Sequence, residues 1–313
     1  MECEMMLSVI ICSHNPRQDY IQRCIDALRS QTLTYCSWEL LVIDNRSDEP
    51  LACRFDLSWH PEAQVLREEQ LGLTPARLRG IRESKGGLLV FVDDDNVLDA
   101  DYLEVALRTA AEKPFLGSWS GQCRPEFQHP PPDWTRRYWE LLVIREFDTD
   151  QWSNAPLSPP APIPYGAGLC VRKDVAEQYV RLHQNGKRRF QLDRTGTTLL
   201  GSGDLDLGAC ACDLGYGWGI IATLKLTHII PPERLTLDYL ARLVEGSYYS
   251  TGVLYAQRGQ RMPKRDLLGR CVDFVRTMRL RQPHREMLKA VYRGRDRAFR
   301  EQDRIESSSI HPD

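Results

Sequence analysis

The 313-residue sequence lacks several features that would place it in a specialised class of protein. It has no apolar run close to the ~20 residues that a membrane-spanning helix needs, and its acidic first residues, Met1 to Glu4, lack the layout of a signal peptide. Its 10 cysteines are scattered, with Cys210 and Cys212 as the closest pair, so neither a disulfide scaffold nor a zinc site is indicated. We therefore expect a cytoplasmic globular protein with reduced thiols.

The sequence also has little net charge, −2 in total, but its charges are unevenly distributed. Residues 258–304 contain 15 Lys and Arg against 6 Asp and Glu, and the rest of the chain is acidic. No recognition motif accompanies this basic stretch, so no nucleic acid is expected as a partner. Two alternatives stay open: a peripheral contact with the inner face of a membrane through residues 258–304, or helices that pack on the acidic part with their arginines paired or solvated.

Short apolar runs alternate with helical patterns over the first hundred residues. Strands are predicted at Leu7–Cys12, Leu40–Ile43, Ala63–Arg67 and Leu88–Val92. Apolar residues recur at helical spacing between them, as in Ile21, Cys24, Ile25 and Leu28. This alternation predicts an α/β fold with a mixed, mostly parallel sheet flanked by helices.

The pattern changes in the rest of the chain. After Lys113 it loosens into proline-rich loops, with strand-like runs only at Gly168–Arg172 and Trp218–Leu224. From Leu235 onward it is helical and ends in the basic stretch. We therefore expect a catalytic domain over residues 1–235 and a helical, basic C-terminal extension over residues 236–313.

Polar residues follow the early strands, at the edge where α/β sheets bind ligands. Asp93, Asp94 and Asp95 come directly after the run Leu88–Val92. Like-charge crowding should raise the pKa of at least one of them, and Mg²⁺ or Mn²⁺ would relieve the repulsion. The alternative is a solvated acidic turn that only caps the next helix.

Five segments resemble, in order and spacing, the inverting glycosyltransferases of family 2, which have the GT-A fold. They are Leu7–Asn15 (LSVIICSHN), Cys24–Thr32 (CIDALRSQT), Leu41–Asp48 (LVIDNRSD), Gln70–Ile81 (QLGLTPARLRGI) and Phe91–Leu103 (FVDDDNVLDADYL). The resemblance covers about residues 6–230. It implies the GT-A fold and sugar transfer from a nucleotide-sugar.

The resemblance also implies roles for individual residues of the donor site. Those for the nucleotide are Ser13, Asn15 and Arg17 as lining residues, Asp44 as a hydrogen-bond partner of the base, and Arg77 near the base or diphosphate. Asp93 and Asp95 would form the Asp-x-Asp pair, with Asp95 as the direct metal ligand, Asp93 nearer the ribose and Asp94 facing the donor sugar. His228 would be an additional ligand for Mn²⁺ or Mg²⁺, although a structural histidine is an equal alternative.

The catalytic base implied by the resemblance lies in Gly201–Leu207 (GSGDLDL). Asp204 is the expected base, and Asp206 is the alternative. The glutamate that usually precedes this base in the family is replaced here by Gly203.

The function that follows is the metal-dependent, inverting transfer of one sugar from a nucleotide-sugar, expected to be a UDP-sugar, to a hydroxyl group. The acceptor would be a saccharide or a lipid-linked saccharide, as in surface polysaccharide or glycolipid assembly. Processive synthases are disfavoured because no Gln-x-x-Arg-Trp motif follows Asp204. Two other functions stay open: a catalytically silent nucleotide-sugar-binding scaffold, and a sugar-phosphate nucleotidyltransferase, which the absence of glycine in Ser13–Asn15 disfavours.

Overall fold

The computed structural model describes residues 6–156, 162–186, 192–194, 198–260 and 267–310. Its strands are β1 (Leu7–Ser13), β2 (Trp38–Asp44), β3 (Ala63–Arg67), β4 (Leu88–Val92), β5 (Asn96–Leu98), β6 (Leu116–Phe127), β7 (Gln151–Ser153), β8 (Leu169–Arg172) and β9 (Gly217–Ile230). Its helices are α1 (Gln18–Arg29), α2 (Leu73–Glu83), α3 (Tyr102–Glu112), α4 (Lys173–Gln184), α5 (Gly203–Asp213), α6 (Leu237–Gln257), α7 (Leu267–Arg279) and α8 (His284–Ile310). The strands form one nine-stranded sheet in the order β3-β2-β1-β4-β8-β6-β9-β5, with β7 paired to β9.

The first half of the sheet is parallel, because β3, β2, β1 and β4 are joined by helical or looped crossovers. Alternate residues of β1 face two separate cores. Val9 packs with Leu28 of α1 on one side, and Ile10 packs with Ile81 of α2 on the other. Burial of both faces explains the continuous apolar runs in β1, β2 and β4.

The second half of the sheet is mixed. Strand β8 runs antiparallel to β4 and β6, whereas β6 and β9 are parallel to each other. The sequence predicted only loops where β6 lies, because Gly117, Gly121 and Pro125 interrupt its apolar pattern. Gly121 is required there, since a Cβ at this position would overlap the backbone of Leu224 in β9. The predicted α/β sheet with flanking helices is otherwise confirmed.

The C-terminal part is helical, as predicted. Helix α6 begins after Thr236, whose side chain accepts a hydrogen bond from the backbone N–H of Tyr239 at 3.3 Å. Helices α6 and α8 pack through an apolar core that includes Val244 and Met287. Within the described ranges, no helix is both long and apolar enough to cross a bilayer. The division at residue 235 stays a prediction.

Candidate active site

A cavity of about 990 Å³ lies at the carboxyl ends of β1 and β4. Seven of the residues predicted for the site line it together: Ser13, Arg77, Asp93, Asp94, Asp95, Asp204 and His228. The parallel pairing of β1 and β4 brings the residues after both strands to one edge of the sheet. Helix α5 and the end of β9 carry Asp204 and His228 to the same place.

Three predicted nucleotide residues do not line this cavity. Asp44 is buried and accepts hydrogen bonds from the backbone N–H groups of Ser47 and Leu51 and from Arg67, at 2.8 to 3.2 Å. Asn15 is exposed and exchanges hydrogen bonds with Asp48, at 2.9 and 3.0 Å. These contacts hold together the loops after β1 and β2, next to the cavity.

Arg17, the third of these residues, is also exposed. Its guanidinium pairs with Asp19 at 3.1 Å and lies over the ring of Tyr20. The roles predicted for Asn15, Arg17 and Asp44 remain predictions, since each would require contact with a nucleotide that reaches beyond the cavity.

The acidic cluster, defined as Asp93, Asp94 and Asp95, follows β4 and lies inside the cavity. The Ser13 hydroxyl donates a hydrogen bond to the carboxylate of Asp94. Burial, together with the neighbouring charge of Asp95, raises the pKa of Asp94 to about 7 and also raises the pKa of Asp93. Burial and crowding therefore disfavour the charged forms of Asp93 and Asp94.

Asp95 has two partners that the fold brings from the end of β9. Its carboxylate Oδ2 lies 3.4 Å from His228 Nε2 and 2.8 Å from Arg234 Nη2. The antiparallel pairing of β5 with β9, which places Asn96 opposite His228, creates this meeting. Although burial acts to raise the pKa of Asp95, Arg234 and His228 hold it well below its usual range.

The ring of His228 has polar partners at both nitrogens. Its Nδ1 lies 3.0 Å from the carbonyl oxygen of Leu142 and donates a hydrogen bond to it. Its Nε2 lies 2.9 Å from Nη1 of Arg234, which can only donate, and 3.4 Å from the Asp95 carboxylate, which favours a protonated ring. Although burial acts to lower it, the Asp95 carboxylate raises the pKa of His228 to about 10.

These residues fit a divalent cation by their chemistry. A carboxylate oxygen of Asp95 and a ring nitrogen of His228 converge on one point, and two further carboxylates stand beside them. The cation found at that point is the guanidinium of Arg234, which contacts both atoms. Within the described residues no group of three metal-binding side chains is preassembled, so Arg234 would have to move for a metal ion to bind both atoms.

Asp204 lies on the first turn of α5 and faces the cavity. Its Oδ2 accepts a hydrogen bond from the backbone N–H of Gly166 at 2.7 Å, and its Oδ1 accepts one from Leu205 at 2.8 Å. Burial raises the pKa of Asp204 to about 6, in spite of the nearby positive charge of Arg77. A carboxylate with this pKa is suited to accept a proton near neutral pH.

Arg77 is buried and paired with a residue for which the sequence assigned no role. Its Nη1 donates to both carboxylate oxygens of Asp193, at 3.0 Å each. Asp193 also accepts a hydrogen bond from the hydroxyl of Thr74 at 2.8 Å. Arg77 is thus held between two carboxylates, Asp193 and Asp204.

Asp206, the alternative base, turns away from the cavity. It is 1% exposed, and its Oδ1 accepts hydrogen bonds from Nε and Nη2 of Arg258 at 3.1 and 2.9 Å. Its position supports Asp204 as the carboxylate available to a substrate.

Sequence reasoning assigned no role to several polar residues of the cavity, among them His14, Asn45, Asp193 and Arg234. His14 and Asn45 follow β1 and β2, so the strand-end rule could have found them. Arg234 lacks such a signal, because its place depends on the turn at Pro232–Leu235 after β9.

The cavity also has an apolar wall that the sequence did not predict. Six apolar side chains of the C-terminal helices and the segment between them form it: Leu243, Val244, Leu280, Met287, Leu288 and Val291. Polar side chains of the same helices, among them Ser247, Thr251 and His284, also line the cavity. The acidic cluster and the apolar wall line the same cavity.

Comparisons with known proteins agree with this arrangement. Curated proteins similar to this chain include the glycosyltransferase AglE of Haloferax volcanii, 34% identical over 106 residues, and the putative glycosyltransferase EpsH of Bacillus subtilis, 28% identical over 109 residues. The matches cover 33% and 34% of this chain, and 34% and 31% of those proteins. The chain therefore matches about a third of the length of these relatives.

A solved structure aligns over nearly the whole chain. S. aureus TarS (residues 1–349 of that protein) aligns with a TM-score of 0.53 at 13% identity, over 98% of this chain and 91% of that one. The same TarS fragment has been solved in complex with UDP, with a TM-score of 0.51. At this identity the likeness shows the GT-A fold alone. The model of the family described as "Glycosyl transferase family 2" matches residues 8–175, more than half of the chain, and the protein therefore belongs to glycosyl transferase family 2.

Proposed function

We propose that this protein transfers a single sugar from a nucleotide-sugar to a hydroxyl acceptor, with inversion at the anomeric carbon. The observation that carries the proposal is the placement of Asp204, a carboxylate with a pKa raised to about 6, in the same cavity as the acidic cluster. The acidic cluster is suited to binding the donor, and Asp204 is suited to activating the acceptor.

In the proposed reaction, the acceptor hydroxyl donates its proton to Asp204 as its oxygen attacks the anomeric carbon. The bond between that carbon and the diphosphate oxygen breaks, and the nucleoside diphosphate leaves with the electron pair. The N–H of Gly166 donates a hydrogen bond to the carboxylate of Asp204 and so orients its oxygens before the substrate binds.

The metal requirement predicted from the sequence remains part of this proposal. Asp95 and His228, with Asp93 beside them, are the residues that would hold Mn²⁺ or Mg²⁺. The bound ion would neutralise the charge of the diphosphate. Because burial and crowding disfavour the charged forms of Asp93 and Asp94, a cation bound beside them would stabilise these carboxylates as well as the diphosphate, which supports the need for a cation.

The proposed donor is a uridine diphosphate sugar, with uracil as its base. The support is the structural likeness to TarS, which has been solved with UDP, and the resemblance of the segments around Asn15, Asp44 and Arg77 to the nucleotide-binding motifs of the family. Neither observation identifies the sugar that is transferred.

The apolar wall supports a lipid-linked acceptor. A free saccharide would gain little from six aliphatic side chains, whereas the first isoprenoid or acyl carbons of a lipid carrier would be desolvated against them. The wall continues to Leu280, directly after α7, which would place the lipid beside that helix.

Helix α7 has the surface expected for contact with an anionic bilayer. It buries the polar residues Asp273 and Thr277 and exposes Phe274 and Met278, at 67% and 58%. Exposed arginines at positions 276, 279 and 281 accompany these apolar side chains. Apolar side chains among arginines are typical of helices that lie in the interface of anionic membranes.

Transfer can be tested with a thermal-shift screen of UDP-, GDP- and dTDP-sugars with Mn²⁺, followed by assays of transfer and of donor hydrolysis. Asp204→Asn should keep nucleotide binding and lose about 10²–10⁴-fold in transfer rate, as expected for removal of a general base. Asp213→Asn, on the same helix outside the cavity, is the matched control. Unchanged turnover of Asp204→Asn would contradict the assignment, and binding without transfer or hydrolysis would favour the silent scaffold.

Membrane contact can be tested by co-sedimentation with vesicles. The wild type should bind phosphatidylglycerol vesicles and not phosphatidylcholine vesicles, and Phe274→Ser should weaken the binding. Phe115→Ser is the control, since Phe115 is 44% exposed but lies outside α7. Equal binding of the two variants would count against α7 as the contact surface.

A further inference from the structure

Asp193 occupies the space beside the residue that precedes the proposed base. A Cβ added to Gly203 would overlap both carboxylate oxygens of Asp193. No residue larger than glycine therefore fits at position 203 while Asp193 keeps its place. The sequence departs from the family at this position, where the resemblance expects a glutamate.

Asp193 is integrated into the site by its contacts. It is 3% exposed and accepts hydrogen bonds from the guanidinium of Arg77 and the hydroxyl of Thr74. Both donors belong to α2, whereas Gly203 begins α5. One carboxylate thus joins α2 to the start of the helix that carries Asp204.

We infer that Asp193 supplies, from elsewhere in the chain, the carboxylate that would otherwise stand at position 203, and that it is a positioning residue for Asp204. This inference rests on the proposed role of Asp204 as the base. By engaging Nη1 of Arg77 with both oxygens, Asp193 neutralises the guanidinium that would otherwise pair with Asp204.

The charges around Asp204 give the sign of the effect. Burial raises the pKa of Asp204, Arg77 lowers it, and the negative charge of Asp193 raises it. The phenol of Tyr165 also faces Asp204, and the N–H of Gly166 donates to it. Asp193→Asn removes the raising charge and releases Arg77, so both changes lower the pKa of Asp204.

The test is a ¹³C NMR titration of the aspartate carboxyl groups, with the Asp204 signal assigned from Asp204→Asn. In Asp193→Asn the titration midpoint of Asp204 should fall by about one pH unit or more. Thr74→Val, which removes a hydrogen bond to Asp193 without changing charge, should leave the midpoint in place. An unshifted midpoint in folded Asp193→Asn would overturn the inference.

A relocation variant keeps the inference testable if Asp193→Asn does not fold. Asp193→Gly combined with Gly203→Glu moves the carboxylate to position 203, and it should restore the midpoint and thermal stability relative to Asp193→Gly alone. A double variant no better than Asp193→Gly would contradict the inference. Because the titration needs no turnover, it gives its result even if the wild type transfers no sugar, which separates failure of this inference from failure of the proposed function.

Discussion

The ion pair between Arg258 and Asp206 joins the end of α6 to the buried side of α5, and its loss should destabilise the protein strongly. The Arg258 side chain is 8% exposed, with Nε and Nη2 on Asp206 and Nη1 on Asp213. Arg258→Met leaves the Asp206 carboxylate, which is 1% exposed, without this positive charge. Removing one partner of a buried ion pair costs about 3–5 kcal/mol in the free energy of unfolding.

The partly exposed Asp213, at 35%, should add little to this cost, because solvent screens its charge. The assay is urea denaturation followed by circular dichroism, with Arg297→Met as the matched control. Arg297 pairs with Glu245 at 3.2 Å, but its side chain is 47% exposed, so its loss should cost about 1 kcal/mol or less.

A double variant separates the charge effect from lost packing. Asp206→Asn combined with Arg258→Met removes both charges and should recover a substantial part of the stability lost in Arg258→Met. If Arg258→Met stays within about 1 kcal/mol of the wild type, or if the two substitutions simply add, the reasoning about a desolvated pair is refuted.

Three further predictions follow from the cavity and its supports. The value of kcat/KM should rise with pH through about 6, because Asp204 accepts a proton only once its carboxyl group has lost its own; a profile flat from pH 5 to 8 would contradict this. Arg234→Met should increase the affinity for Mn²⁺, measured by calorimetry, by about tenfold or more, because the guanidinium contacts Asp95 Oδ2 and His228 Nε2, the atoms that the ion would bind. The control is Arg124→Met, which removes an arginine outside the cavity lining. Unchanged affinity of Arg234→Met would contradict competition between the guanidinium and the ion. Tyr102→Phe should lower the free energy of unfolding by about 1–3 kcal/mol, because its hydroxyl donates to the buried carbonyl of Gly168 at 2.6 Å; a stability equal to that of the wild type would argue against that bond.

The parallel half of the sheet could be predicted from the sequence because the residues of each strand themselves indicate whether its faces are buried. Strands β1, β2 and β4 each contain an apolar run of four or five residues, as both of their faces are covered. Strand β6 could not be recognised in the same way. Its glycines allow distant segments of the chain to approach closely, and such an approach produces no pattern in the neighbouring sequence.

The same distinction separates the site residues. Asp93 to Asp95 were visible because a strand end is a local feature, and the family resemblance added Asp204. The meeting of Asp95 with His228 and Arg234 depends on the register of β5 against β9, a pairing across more than a hundred residues. Asp193 left one trace in the sequence, the glycine at position 203, but only the overlap seen in the structure connects the two.

The basic stretch is best understood as two populations of arginine. Arg258, Arg293 and Arg297 pair with carboxylates on α5, α6 and α8, which agrees with helices packed on acidic neighbours. The exposed positions 276, 279 and 281 instead accompany the exposed apolar side chains of α7. The packed alternative is therefore supported for Arg258, Arg293 and Arg297, and membrane contact through α7 stays a proposal. Because α7 leads into Leu280 on the apolar wall, we propose that the second population sets the orientation in which a lipid-linked acceptor reaches Asp204.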